Sequence, residues 1–357
     1  MAYERANIAA MHGYVPGKQP ASAEAIKLNT NENPYPPAPA VLQALSSIAP
    51  DMLRRYPPPS ADAFRRTAAT LHGVQDDRVV AVNGGDELLR MAISTFVEPG
   101  APIGILEPSY SLYPVLAQAH GSPVVRAQAE ADWSHPRDLA ARMNAAGVKL
   151  LLVVNPHAPS GHLTPATEIT ELARRFRGVL LVDEAYVDFV DPELRHDVVA
   201  SIASHDNLLV LRTLSKGYSL AGLRVGYGIG SAELIAPLLW KTRDSYNLDA
   251  IAQRLATLAL EQRPYAAETW AKVRAGRARM SSALSALGFE VAPSQSNFLL
   301  ASVPARASAP ALQRELETRG VLVRYFAEPR LLDKLRISIG TPAENERLLR
   351  ELGALLA

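Results

Sequence analysis

Residues 208–225 read LLVLRTLSKGYSLAGLRV and contain an apolar run followed by a polar turn. The run Leu208–Leu211 is short and continuous, which is typical of a buried strand in a parallel sheet. Lys216 follows it closely, at the predicted carboxyl end of that strand. The next apolar run, Val225–Ile229, follows Leu223 too closely to leave room for a crossover helix after the strand Leu208–Leu211. We therefore expect it to run antiparallel.

Similar apolar runs precede this segment and are separated by helical patterns. This alternation predicts an α/β fold in which a mostly parallel sheet carries helices on both faces. The other predicted strands of this sheet are Arg78–Val82, Pro102–Leu106, Pro123–Arg126, Leu150–Val154 and Val179–Val182.

The carboxyl-terminal part of the sequence has a different pattern. Residues 231–262 have helical periodicity with a break near residues 244–247. Beyond them, the order of strands and helices predicts a smaller α+β domain. Its predicted elements are a helix from Ala266 to Leu287, a strand Phe298–Ala301, a helix from Ala309 to Arg319, strands Val321–Tyr325 and Leu335–Ile339, and a last helix Pro342–Leu355.

The amino-terminal stretch to about Pro59 is rich in proline, which predicts an extended arm interrupted by one helix, Ala38–Ser47. We therefore expect three units. Residues 1–50 form an arm that belongs to the small domain, residues 51–245 form the large domain, and residues 246–357 form the rest of the small domain.

Composition favours chemistry on small molecules. The 357 residues carry a formal net charge of +1 from interspersed acidic and basic side chains, so no patch for nucleic acid or membrane is visible. There are no cysteines, and the histidines show no metal-ligand spacing, so we expect no metal site. The sequence lacks a signal-peptide pattern and any run of about eighteen apolar residues, so we expect a cytoplasmic protein.

Lys216 is the candidate catalytic residue. At the end of a buried strand, desolvation and nearby positive charge would lower the pKa of its amine, which could then attack an aldehyde and form an imine. An ordinary surface lysine is the alternative. The ten residues from Thr213 to Gly222, however, resemble the lysine motif of the fold-type-I aminotransferases that use pyridoxal 5'-phosphate (PLP), in the group close to histidinol-phosphate aminotransferases.

A PLP site needs an anion for the pyridinium nitrogen and a donor for the phenolate oxygen. Asp183 ends the predicted strand Val179–Val182 and could pair with the ring N–H. Tyr186, three residues later, could donate to the phenolate. A helix cap or a plain strand-end carboxylate is the alternative for Asp183.

The phosphate needs a cradle, which the turn Asn83–Glu87 could supply. Gly85 permits close approach of the backbone, and the helix that starts near Asp86 would point free N–H groups at an anion. Ser215 and Arg224 would complete the cradle. A strand–turn–helix junction with Asp86 as the cap is the alternative.

The resemblance to histidinol-phosphate aminotransferases covers nearly the whole chain. It implies that Tyr110 stacks on the cofactor ring, for which a core tyrosine is the alternative. It also implies that Tyr56 reaches the phosphate of a neighbouring subunit's cofactor, so a homodimer with shared sites is expected. The segments that carry the resemblance are Tyr14–Lys18, Leu28–Tyr35, Arg55–Pro57, the glycine turn, Ser245–Asn247 and Leu335–Pro342.

One segment departs from the family pattern. Where these enzymes usually have Asn-Pro-Asn-Asn-Pro-Thr-Gly, residues 155–161 read NPHAPSG. The second internal asparagine of the family donates to the phenolate, and Ala158 cannot do so. Either Asn155 takes over, or Tyr186 acts with less help; we expect Asn155 to be the substitute.

The resemblance also implies the substrates. Arg336 would hold the α-carboxylate of glutamate, Arg324 would help to bind a substrate phosphate, and Tyr14 and Asn297 would contribute contacts. The expected reaction is transfer of an amino group between histidinol phosphate and 2-oxoglutarate by ping-pong kinetics. The alternatives are an aromatic or other amino-acid aminotransferase, a lyase like threonine-phosphate decarboxylase, and a PLP-binding regulator without turnover.

Overall fold

The computed structural model describes residues 3–20, 22 and 24–357. Residues 1, 2, 21 and 23 of the predicted arm lie outside the described residues. The strands are β1 (Ile26–Lys27), β2 (Val79–Val82), β3 (Ile103–Glu107), β4 (Val124–Gln128), β5 (Leu150–Val154), β6 (Val179–Asp183), β7 (Leu208–Thr213), β8 (Gly226–Ile229), β9 (Glu290–Val291), β10 (Phe298–Ser302), β11 (Val321–Leu322), β12 (Arg324–Tyr325) and β13 (Lys334–Ser338).

The α-helices connect these strands and flank them. They are α1 (Ala6–Ala9), α2 (Pro39–Ser46), α3 (Pro50–Arg54), α4 (Asp62–His72), α5 (Gly84–Phe96), α6 (Leu112–His120), α7 (Leu139–Ala145), α8 (Ala166–Arg175), α9 (Ala232–Pro237), α10 (Ala250–Glu261), α11 (Arg263–Ala286), α12 (Ala309–Thr318) and α13 (Pro342–Leu356). A π-helical turn, Leu238–Thr242, directly follows α9.

The large sheet has seven strands in the order β2-β8-β7-β6-β5-β3-β4. All neighbouring pairs are parallel except the two made by β8, which runs antiparallel to β2 and β7. The predicted antiparallel strand is thereby confirmed. In this register Asp183 pairs with Val154 on one side and Leu211 on the other, so the ends of β5, β6 and β7 lie at one edge.

The large sheet is buried on both faces. Successive residues of each strand alternate between two apolar cores: Leu151 and Val153 belong to one, and Leu150 and Leu152 to the other. Helices α4, α7, α8, α10 and α11 contribute to the first core, and α5, α6 and α9 to the second. Helices on both faces are therefore confirmed, and burial on both sides explains the continuous apolar runs.

The small sheet lies in the carboxyl-terminal part and is antiparallel, with the order β12-β13-β10-β9. Helices α11 and α12 contact it, and α13 packs on both of them. Strand β1 of the amino-terminal arm pairs in parallel with β11. This pairing attaches the arm to the carboxyl-terminal part of the chain. The domain boundaries at residues 50 and 245 stay a prediction.

Two predicted elements are wrong in detail. The arm contains α1 and α3 besides the expected helix α2. Proline at the first turn of α3, as at that of α2, starts a helix rather than prevents one. The predicted strand Val321–Tyr325 is two short strands, since β11 pairs with β1 and β12 pairs with β13. The predicted break near residues 244–247 is confirmed, and Asp249 restarts the helix by accepting from Ala252 N at 2.8 Å.

Within the described ranges, no helix is both long and apolar enough to cross a membrane.

Candidate active site

A cavity of about 300 Å³ lies at the carboxyl edge of the large sheet. This is a typical volume for a small-molecule site. Strands β5, β6 and β7 end at it, the arm covers one side, and β12 and β13 of the small sheet close another. The predicted residues that line it are Tyr14, Gly85, Asp86, Tyr110, Asp183, Tyr186, Ser215, Lys216, Arg224, Arg324 and Arg336.

Lys216 follows β7 and points its amine into this cavity. Its Nζ donates to Thr30 O at 2.7 Å, so the arm holds the side chain in place. Burial and, to a lesser extent, the positive charge of nearby Arg336 together lower the pKa of Lys216 to about 8. The amine is therefore neutral far more often near neutral pH than an ordinary lysine is, as a nucleophilic amine requires.

Asp183 lies at the end of β6 on the cavity wall. Its Oδ2 accepts from Tyr113 OH at 3.0 Å and its Oδ1 accepts from Ala185 N at 3.1 Å. Burial raises the pKa of Asp183 to about 6, and both hydrogen bonds oppose that rise. The carboxylate is therefore mostly ionised at neutral pH. Among the described residues no cation lies beside it, so it suits a cationic ring N–H.

The glycine turn, Arg224 and Ser215 converge on one end of the cavity. Gly84 has φ +74°, and a Cβ there would lie 2.6 Å from Arg224 Nη2. Arg224 donates from Nη2 to Asp86 Oδ2 at 3.3 Å and from Nη1 to Ser215 Oγ at 3.4 Å. A hydroxyl, a guanidinium and the first turn of α5 together suit a phosphate.

Asp86 is not the helix cap that its position at the turn allowed. The N-cap of α5 is Asn83, whose backbone N donates to Glu87 Oε2 at 2.5 Å. Asp86 accepts from Arg224 and also from Tyr110 OH, the latter at 3.3 Å. The Tyr110 ring meets the Tyr14 ring edge-on, with centroids 5.8 Å apart. Burial raises the pKa of Tyr110, so its hydroxyl stays protonated.

The expectation that Asn155 donates to the phenolate is wrong. Its Nδ2 donates to Thr164 O at 2.9 Å and its Oδ1 accepts from Thr164 N at 2.9 Å. Both ends of the amide are therefore used in closing a loop, and Asn155 does not line the cavity. Ala158 does line it, so the polar group on this wall is the hydroxyl of Tyr186, to which Asn31 donates at 3.1 Å.

Two arginines line the side of the cavity formed by the small sheet. Arg324 and Arg336 are directly opposite each other in the β12–β13 pair. Arg336 donates from Nη2 to Asn29 O at 3.0 Å, and its buried Nε has no protein acceptor within the described residues. Its guanidinium lies over the rings of Phe298 and Phe326, 5.2 and 5.3 Å from their centroids. Burial lowers the pKa of Arg336, which still leaves it a cation suited to a carboxylate.

Asn297, predicted to contact substrate, does not line the cavity. It is fully buried behind the wall, where its Nδ2 donates to Asn31 O at 2.8 Å. Asn297 therefore supports Asn31 from behind and does not contact the cavity.

Comparison with known proteins identifies the family of this chain. The family model described as "Aminotransferase class I and II" matches residues 23–352. The chain belongs to the class I and II aminotransferase family.

Relatives of this aminotransferase match it along nearly its full length. "Histidinol-phosphate aminotransferase 1" of Trichormus variabilis is 41% identical over 355 residues, covering 99% of each chain. "Histidinol-phosphate aminotransferase" of Geobacter sp. strain M21 is 44% identical over 353 residues, covering 98% of each chain.

A solved structure agrees with the fold of the aminotransferase. The crystal structure of histidinol-phosphate aminotransferase from Sinorhizobium meliloti, in complex with PLP, is similar with a TM-score of 0.90. The two sequences are 23% identical, and the match covers 100% of this chain and 98% of that one. The prediction of fold type I, with a mostly parallel large sheet, is thereby confirmed.

Tyr56 lies away from the aminotransferase's own cavity. It is 81% exposed, and its ring stacks on Tyr246 at 4.5 Å between centroids. A surface cleft that includes Tyr56 also contains Arg55 and Arg254. The predicted role of Tyr56 in a neighbouring subunit's site stays a prediction.

Sequence reasoning missed several residues of the aminotransferase site. Tyr113 is fully buried beneath Asp183, Asn31 supports Tyr186, and Thr30 holds Lys216. The segment that contains Thr30 and Asn31 was part of the family resemblance, but nothing in it indicated these contacts. In the part of the chain that the structure describes, no group of three or more acidic or histidine side chains is placed to hold a metal.

Proposed function

We propose that this chain is a histidinol-phosphate aminotransferase that attaches PLP to Lys216 and uses glutamate and 2-oxoglutarate as the second substrate pair. The observation that carries the proposal is a single cavity lined by Lys216, by Asp183 of the large sheet and by Arg336 of the small sheet. The names of the relatives at 41% and 44% identity support the choice of substrate.

The side chains of the cavity fit the cofactor. Asp183 would pair with the ring nitrogen, while Ser215, Arg224 and the first turn of α5 would hold the phosphate. Tyr110 would lie against the ring and Tyr186 would donate to the phenolate oxygen. When bound, PLP supplies an electron sink for negative charge at the substrate's α-carbon.

Lys216 has two tasks in this proposal. Its Nζ would hold PLP covalently, and as a free amine it would act as the base that takes the proton from the substrate's α-carbon. Its lowered pKa, about 8, suits both tasks because the neutral amine is the nucleophile and the base.

Arg336 and Arg324 would orient the substrates. A guanidinium matches a carboxylate with two parallel hydrogen bonds, so Arg336 would fix the α-carboxylate and with it the direction of the breaking C–H bond. Arg324 lies 5.3 Å from the Phe326 centroid and lines the cavity, where it would face the substrate phosphate with Tyr14 nearby.

A homodimer is part of the proposal. Tyr56 and Tyr246 form an exposed aromatic pair, and Leu42, Leu45 and Leu53 are exposed on the neighbouring helices α2 and α3. Exposed apolar groups of this kind suit an interface with a second copy, through which Tyr56 would reach the other cofactor. The proposed substrates are small molecules, and the proposed place of action is the cytoplasm.

Single-turnover absorbance with a panel of amino donors tests the substrate. The panel contains histidinol phosphate, glutamate, phenylalanine and threonine phosphate, each mixed with the yellow holoprotein. We expect the cofactor to reach its pyridoxamine form fastest with histidinol phosphate. Fastest conversion by phenylalanine would indicate an aromatic aminotransferase, and carbon dioxide released from threonine phosphate would indicate a lyase.

A matched variant sharpens this test. Arg324→Gln should lower the rate at which histidinol phosphate converts the cofactor. The rate with phenylalanine, which has no phosphate, should stay as in the wild type. If both donors slow equally, Arg324 does not recognise the phosphate. If no donor changes the spectrum of the wild type, the chain is a PLP-binding protein without this activity.

A further inference from the structure

Asn31 occupies a buried and strongly constrained position between the two sheets. Only 1% of its surface is exposed, and its backbone has φ +58°, a conformation that asparagine tolerates. Its backbone carbonyl accepts from Asn297 Nδ2 at 2.8 Å. The preceding residue, Thr30, is the acceptor for the Lys216 amine. The same short segment thus reaches both Lys216 and, through Asn31, Tyr186.

The hydrogen bonds of Ser338 assign which end of the Asn31 amide faces Tyr186. The Asn31 backbone N donates to Ser338 Oγ at 2.9 Å, so this oxygen is an acceptor. Its own proton then goes to Asn31 Oδ1, 3.0 Å away. The remaining end of the amide, Nδ2, therefore donates to Tyr186 OH at 3.1 Å.

The proton of Tyr186 follows from this arrangement. Because the phenol oxygen accepts from Asn31, its own O–H is directed away from the amide, toward the cavity that Tyr186 lines. Burial raises the pKa of Tyr186, so the phenol is neutral and keeps the proton that it would donate. The adjacent wall at Ala158 and Pro159 has no polar side chain, and Asn155 is engaged with Thr164.

We propose that Asn31 is a positioning residue, which orients the Tyr186 hydroxyl so that it donates to the phenolate oxygen of the bound cofactor. This inference rests on the proposed function, since it requires PLP at Lys216. A hydrogen bond accepted by the phenol also polarises its O–H and strengthens the bond that it donates. Asn31 would thereby offset the absence of a donor at Ala158.

The Schiff base of Lys216 reports this hydrogen bond. A donor to the phenolate stabilises the unprotonated Schiff base more than the protonated one, in which the phenolate already has the imine proton beside it. Weakening the donor should therefore raise the pKa of the Schiff base. A glycine at position 31 keeps the positive φ and removes only the amide, so Asn31→Gly is the variant to test.

Absorbance of the holoprotein, titrated with pH, measures that pKa directly. We expect Asn31→Gly to raise it by about 0.5 to 1 unit, the equivalent of one ordinary hydrogen bond. Ser338→Ala, which releases the amide, should raise it in the same direction by less. Asn29→Ala is the control, because the Asn29 side chain donates to Lys18 O and not to Tyr186. The charged groups that face Lys216 or Tyr186 are unchanged in every variant: Lys27, Glu32, Asp183, Arg224 and Arg336.

A double variant separates positioning from a general structural effect. In the Tyr186→Phe background the hydroxyl is gone, so Asn31→Gly should produce no further shift. An equal shift in both backgrounds, or no shift in the wild-type background, would overturn the role of Asn31. A wild-type protein that takes up no PLP chromophore would instead overturn the proposed function.

Discussion

Gly84→Ala is the substitution that most selectively disturbs the proposed phosphate cradle. Gly84 has φ +74°, and the new methyl carbon would lie 2.6 Å from Arg224 Nη2. The guanidinium is the end of a flexible side chain, so it can move aside at little cost to folding. In moving, however, it leaves Asp86 and Ser215, to which it now donates.

The structure predicts two separate magnitudes for this variant. An L-residue in the left-handed region costs about 1–2 kcal/mol, which should appear as a loss in the free energy of unfolding. Loss of a charged hydrogen bond to the phosphate costs about 1.5–3 kcal/mol, which corresponds to about 10- to 100-fold in affinity for a phosphorylated cofactor.

Gly73→Ala is the matched control. Gly73 also has a left-handed backbone, with φ +64°, but no atom lies within 4 Å of a Cβ placed there. Both variants should therefore lose a similar free energy of unfolding, measured by urea denaturation. Only Gly84→Ala should lose affinity for the phosphate.

The assay is equilibrium titration of the cofactor-free protein with pyridoxamine phosphate and, separately, with pyridoxamine. Neither compound has the aldehyde, so attachment to Lys216 does not mask the phosphate contribution. We expect Gly84→Ala to lower the affinity for pyridoxamine phosphate by about 10- to 100-fold and to leave the affinity for pyridoxamine unchanged. Equal affinity of Gly84→Ala and wild type for pyridoxamine phosphate would refute the cradle.

Three further predictions follow from the site. Only the neutral amine attacks an aldehyde, and the pKa of Lys216 is lowered to about 8. The rate at which the cofactor-free protein captures PLP should therefore rise with pH around 8, and a midpoint near the ordinary 10.5 would contradict the assigned environment. Arg336→Lys should lower kcat/KM for glutamate by about 10- to 100-fold without weakening PLP, because the paired hydrogen bonds to the carboxylate are lost; unchanged steady-state kinetics would remove Arg336 from substrate binding. Tyr113→Phe removes a donor from buried Asp183 and raises its pKa further above about 6. The loss in free energy of unfolding relative to wild type should therefore be small at low pH and grow toward about 1.5–3 kcal/mol as the pH rises through about 6. Urea denaturation of the cofactor-free protein at several pH values measures this loss, and a pH-independent loss would contradict the assignment.

The large sheet could be predicted from the sequence because its strands are buried on both faces. Continuous runs such as Leu150–Val154 have no polar residue to place at a surface, so they indicate a central parallel strand directly. The short connection before Gly226 likewise excluded a crossover helix. Residues 321–325 were harder, because a single apolar run there bends between two partners, and only long-range pairing decides where β11 ends and β12 begins.

The site was predictable where a residue type and its place on a strand agree. Lys216 and Asp183 follow buried strands, so both had to lie at the carboxyl edge of the sheet. Asn155 also follows such a strand, but sequence does not give the direction of a side chain, and the loop to Thr164 captures its amide. Tyr113 and Asn31 contact partners 70 and 155 residues away, so no local pattern could indicate them.

The proposed function depends on a covalent bond between PLP and one lysine. Borohydride reduction of the yellow holoprotein fixes that bond, and proteolysis with mass spectrometry locates it. We predict a single reduced adduct on the peptide that contains Lys216, and none in Lys216→Ala. An adduct on a different lysine, or no adduct at all in the wild type, would contradict the account.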